Sequence, residues 1–140
     1  MTPSYTGIVA RDVVAGLLSA EGAQTVARAA VQEAATRGAR VRFLQVVPPV
    51  ADGQAQVPEV VEETNATFTA SLRALREYPR VPVTFEVAEG DPGEVLVEHT
   101  ADAGVLVLSA SLPADLAAYC HRHAHCDVLT VRPVVAARLA

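Results

Sequence analysis

The chain contains no lysine, no tryptophan, only two cysteines, and no glycine beyond Gly104. Each absence removes a class of chemistry. Without lysine there is no P-loop ammonium, no Schiff-base nucleophile and no amine general base. The eleven basic residues are all arginine and lie scattered along a chain of formal charge -5, which excludes the clustered positive surface that nucleic acid or an anionic membrane requires. Cys120 and Cys126 are too few and too close for a disulfide framework. No apolar run reaches the length of a membrane span, and Met1 to Asp12 has neither the basic start nor the apolar core of a secretory signal, so a reducing cytoplasm is the expected compartment. The missing late glycine bears on ligand binding. A parallel α/β domain holds phosphate where a glycine-rich turn leaves a strand and enters a helix, and the last such turn reads Ser109-Ala110-Ser111-Leu112-Pro113-Ala114-Asp115.

What is present has the size of one domain: 140 residues, 51% hydrophobic, enough to bury a substantial core. The abundance of Ala, Arg and Val reads as the codon bias of a GC-rich genome. Val13 to Leu18 is continuously apolar, as a strand buried on both faces is, and its start extends as far back as Ile8. Ala23, Val26, Ala27, Ala30, Val31 and Ala34 then recur at helical spacing up to the Arg37-Gly38 cap. Val41 to Val47 predicts a second strand stopped by Pro48-Pro49, and Val50 to Val57 a loop. A second helix starts at Pro58, with Val61, Phe68, Leu72 and Leu75 as its core-facing stripe and Glu62, Glu63, Arg73 and Arg76 turned outward. Val81 to Val87 reads as a peripheral strand because of Pro82. Asp91-Pro92-Gly93-Glu94 combines a capping acid, a first-turn proline and a glutamate three residues after the cap, and marks a third helix. Val105 to Leu108, Ala114 to His125 and Val128 to Val131 complete the pattern as strand, helix and strand. Such alternation predicts an α/β fold with a largely parallel sheet and helices on both faces.

The segments Gly16-Leu17-Leu18-Ser19, Ala29-Ala30, Arg37-Gly38-Ala39-Arg40-Val41, Val46-Val47-Pro48, Glu89-Gly90-Asp91-Pro92-Gly93-Glu94-Val95-Leu96 and Arg122-His123-Ala124-His125-Cys126-Asp127-Val128-Leu129 together resemble a universal stress protein domain, over nearly the whole chain. The resemblance implies a Rossmann-like single domain with an open five-stranded parallel sheet in the order 3-2-1-4-5, dimeric through the last strand, in bacterial cytoplasm. It also implies a nucleotide pocket whose positions here are Leu18, Ser19, Val47, Gly90, Ser109, Ser111, Ala114 and Asp115. In the nucleotide-binding branch an aspartate ends strand one, and a glycine-rich loop cradles phosphates after strand four. Here Leu18 and Ser19 replace that aspartate and the glycine after it, the loop is shorter, and Ala114-Asp115 stand where Gly-Ser or Gly-Thr belongs. An acid there suits the helix dipole when no anion is bound and repels a triphosphate. Gly90 is the pocket residue still in place. Asp12 is an alternative acid if strand one runs from Ile8 to Arg11.

Three further patterns carry candidate chemistry. Cys120, His121, His125 and Cys126 are metal-ligating residue types, with Cys120 and His123 on one helix face and His121 and His125 paired four residues apart on another; a solvated histidine face and two inert thiols is the alternative. Ser109 and Ser111 end a strand, yet no G-x-S-x-G elbow or positioned base accompanies them, and His99 sits on a helix, so no catalytic constellation forms. The segment Val128-Leu129-Thr130-Val131-Arg132 is an apolar edge that a second copy would bury across a two-fold axis, unless the tail from Val134 to Ala140 covers it. The sequence therefore predicts a homodimeric, non-enzymatic binding or regulatory module with an unidentified protein partner and no cofactor. The competing readings are an adenine-nucleotide (ATP) binder with a rebuilt pocket and a Cys/His metal or redox sensor.

Overall fold

A computed structural model describes residues 10–132 of the protein. Five strands, β1 (Asp12–Leu17), β2 (Val41–Val47), β3 (Val83–Glu89), β4 (Ala103–Ser109) and β5 (Asp127–Val131), form one parallel sheet in the order β3-β2-β1-β4-β5. Helices α1 (Ala23–Arg37), α2 (Pro58–Leu75), α3 (Pro92–Glu98) and α4 (Ala114–His123) connect them. The central strands are apolar on both faces because both faces are covered. Val13, Ala15, Leu17, Val41, Phe43, Val105 and Val107 meet the alanine-rich face of α1 and Ala74 of α2. On the opposite face Val14, Leu44, Val46, Leu106 and Leu108 meet Val95 and Leu96 of α3 and Cys120 of α4. No described helix is long and apolar enough to cross a membrane.

Local signals set several boundaries. Gly38 ends α1 in the left-handed region at φ 67, with its N–H bonded to the Ala34 carbonyl. Asp91 caps α3 by accepting from the Glu94 N–H at 3.1 Å, with Pro92 in the first turn. Pro82 stands just outside β3, where its missing N–H costs nothing and its carbonyl accepts from Val41 N at 2.9 Å. The proposed Ile8 start of strand one and the proposed covering tail from Val134 to Ala140 lie outside the described residues.

Three expectations are corrected. Of the expected α2 stripe only Leu75 packs against the core: Val61, Phe68 and Leu72 are 47, 43 and 49% exposed, while Thr67, Ser71 and Ala74 are buried. The small residues allow α2 to lie close to the alanine face of α1, and their hydroxyls return their hydrogen bonds to α2 itself, Thr67 Oγ1 to Thr64 O at 2.8 Å and Ser71 Oγ to Thr67 O at 2.9 Å. Helix α4 ends at His123 rather than His125, because Ala124 turns extended and the His125 N–H donates to Thr100 Oγ1 at 3.0 Å. Asp12 begins β1 instead of following it. It lies at the amino end of the sheet, where its Oδ2 accepts from Arg40 Nη2 at 2.7 Å and stands 3.5 Å from Arg42 Nε.

Candidate functional site

In an open parallel sheet, ligands bind at the carboxyl ends of the strands, where the connections diverge to opposite faces. Here that point lies between β1 and β4, and it is built from the turn Leu18 to Gly22 and the turn Ala110 to Pro113. The two turns interlock. Gly22 sits at φ 77 at the start of α1, and a Cβ on it would lie 2.7 Å from Ser109 Oγ. The space between them, lined by Gly16, Leu18, Ser19, Gly22, Ser109 and Leu112 among others, amounts to only about 10 Å³. That volume holds no ligand.

The hydrogen-bond donors of the second turn are consumed within the protein. Ala110 N–H donates to the Val131 carbonyl at 2.7 Å, Ser111 N–H to Ser109 Oγ at 3.1 Å and Leu112 N–H to the Ser109 carbonyl at 3.3 Å. The hydroxyls of Ser109 and Ser111 bond each other at 2.7 Å. A phosphate needs convergent free N–H groups; these three are already paired. Across the site the Ala20 N–H donates to the carboxylate of Glu63, which reaches over from α2. Glu63, expected to point outward, therefore closes the first turn with a negative charge. Nothing in its helical pattern announces this, since the partner lies 43 residues away. Asp115 is exposed in the first turn of α4, where its carboxylate accepts from the Leu116 N–H at 3.0 Å.

Beside this closed region lies an open one. Leu18, Val46, Val47, Pro48, Pro49, Gly90, Asp91 and Pro92 line a cleft of about 490 Å³ across the carboxyl ends of β1 and β2 and the β3–α3 turn. Its walls are mostly apolar, which suits the flat face of a base rather than a phosphate. Gly90 adopts φ 144, donates its N–H to the Val47 carbonyl at 3.1 Å, and would place a Cβ 2.9 Å from Val95 Cγ2. Backbone conformation and packing thus both require glycine here. The Leu18 carbonyl is held by Gln45, whose Nε2 donates to it at 3.2 Å, while the buried Gln45 Oε1 has no partner among the described residues. A glutamine inside the apolar run Val41–Val47 was the sequence signal for this contact.

The cysteine and histidine candidates do not converge. Cys120 is buried beneath α4 and Cys126 is half-buried, its thiol 3.3 Å from the Asp127 carbonyl. Burial pushes both thiols up, helped at Cys126 by the charge of Asp127. His121 and His125 are exposed, and the end of α4 at His123 removes the helical pairing between them. Among the described residues no three Cys, His, Asp or Glu side chains come together as metal ligands.

Comparison with known proteins gives this arrangement its context. A universal stress protein in complex with cAMP superimposes with a TM-score of 0.72 at 19% identity, over 86% of this chain and 96% of its own. The universal stress protein of Archaeoglobus fulgidus in complex with dAMP gives 0.69 at 20% identity, over 88% and 98%. A family protein from Arabidopsis thaliana with AMP bound gives 0.62 at 16%, over 90% and 94%. At these identities the likeness is one of fold. No curated protein sequence matches the chain. The sequence profile of the universal stress protein family matches residues 10–132, the same stretch that folds into the five-stranded sheet, and the chain belongs to that family.

Proposed function

We propose that the protein is a non-enzymatic binding and regulatory module of the stress response, homodimeric through β5 in the cytoplasm, that has lost the capacity to hold a nucleotide triphosphate. The observation that carries this reading is the turn after β4, whose Ala110, Ser111 and Leu112 N–H groups are spent on Val131 and Ser109. A triphosphate there would have to break those bonds and meet Glu63 at Ala20. The homodimer is supported by the edge position of β5, unpaired on its outer side among the described residues, where Leu129 and Thr130 are exposed and Val128, Val131 and neighbouring Arg132 extend the strip. With its ligand loop closed, the module acts through a protein partner.

A second reading keeps an adenine nucleotide. It is favoured by the open apolar cleft at Leu18, Val47 and Gly90, and by relatives in complex with cAMP, dAMP and AMP. Isothermal titration of the untagged protein with ATP and magnesium, together with assay of nucleotide carried through purification, separates the two. No heat and no carried nucleotide is the expected result. Micromolar ATP binding would establish the second reading, and Asp115→Ser would then measure how the acid tunes affinity.

A further inference from the structure

Six large apolar side chains stand exposed among the described residues: Val57, Val61, Phe68, Leu72, Val87 and Leu129. All but Leu129 lie on or beside one flank of α2, at the β3 edge of the sheet, far from β5. Val61, Phe68 and Leu72 follow one another at seven and four residues, so they share one side of the helix, with Asn65 between the first two. The strip is anchored rather than loose, because the Phe68 ring packs edge-on against Phe85 of β3 at 4.9 Å and keeps its other side in solvent. An exposed apolar strip of this kind marks an interaction surface.

The charges beside the strip identify its occupant. Glu62 flanks the strip on the amino half of α2 and Arg76 flanks it at the carboxyl cap; both are exposed, and neither forms an ion pair among the described residues. A helix acidic at one end and basic at the other, with an apolar strip between, is complementary to itself reversed. A two-fold axis between Phe68 and Leu72 sets Phe68 of one copy against Leu72 of the other, and brings the Glu62 of each beside the Arg76 of its partner, since those residues lie two heptads apart on nearly the same line. We propose that α2 is a second self-association surface, pairing antiparallel with the α2 of another copy, independent of the β5 edge.

The test is made on the full chain carrying Leu129→Asp, which blocks β5 pairing, so that failure of the β5 dimer and failure of this one are read separately. Sedimentation across a concentration series should still show a dimer, weakening at high salt. The exposed reversals Glu62→Arg and Arg76→Glu, made in that background, should each weaken it by about tenfold or more, because both symmetry-related Glu62–Arg76 attractions become repulsions. Mixing the two variants should restore association as a heterodimer. A monomer at all concentrations, as expected if another protein or a segment of the same chain covers the strip, would overturn the proposal. So would a dimer indifferent to both charge reversals.

Discussion

Single residues hold the ends of the sheet shut, and each does so through a measurable constraint. Gly22 combines a left-handed backbone with contact to Ser109, so Gly22→Ala should cost about 2 kcal/mol through strain and crowding. The denaturation midpoint should fall at unchanged slope, and Ser109→Ala added to it should recover part of the loss. Full additivity of the two changes would disprove the interlock. Cys120 supplies a pH dependence. Burial raises its thiol above the ordinary 9.0, so the folded protein keeps a proton that the unfolded chain gives up. That contribution to stability is whole below the unfolded value and is lost as the pH rises through the higher folded one. The urea midpoint of the wild type should therefore drop above pH 9 more steeply than that of Cys120→Ala, although the variant is less stable at neutral pH. Parallel curves would show that the thiol does not carry the alkaline loss.

Elements were legible in the sequence where one local cause decided them. Asp91 is the clearest case: cap, proline and backbone geometry agree, and Asp91→Ala should lower stability by about 1 kcal/mol in a denaturant titration, with an unchanged midpoint refuting the cap. The Gly38 cap and the peripheral place of β3 beside Pro82 were legible for the same reason. Helix α2 was not, because periodicity reports that a helix has an apolar face without reporting where that face goes. The alanines of α1 select the small hydroxyl face of α2 as their partner, and this is a property of two elements together. The end of α4 escaped for a similar reason, since Thr100, 25 residues earlier, takes the His125 N–H. Of the site, the shortened turn after β4 and the isolated Gly90 could be seen in advance. Glu63 could not, because its role exists only once α2 is laid across the first turn.

At the scale of the whole molecule, charge is divided between the two ends of the sheet. The amino ends of the strands carry the Asp12, Arg40, Arg42 and Asp102 network, with Arg42 also donating to the His99 carbonyl at 2.6 Å. At the carboxyl ends, the segments leaving β1 through β4 present Glu21, Asp52, Asp91 and Asp115, with Glu63 added from α2, and none of the connections Leu18–Gly22, Pro48–Val57, Gly90–Asp91 and Ala110–Pro113 contains an arginine. The carboxyl end of the sheet, the ligand side of open parallel folds, is thus mainly acidic, with Arg132 following directly after β5. An apolar cleft set in such a field discriminates by ligand charge. Whatever affinity the cleft has for the adenine group should fall in the order adenosine, AMP, ATP, and added salt should narrow the gap by screening the repulsion. This reverses the behaviour of a site that grips phosphates, where charge strengthens binding and salt weakens it. Competition titrations with the three ligands, in the absence of magnesium and at low and high salt, read the order directly. ATP binding more tightly than adenosine, and weakening with salt, would mean that the turn after β4 opens and that its three N–H groups turn to the phosphates.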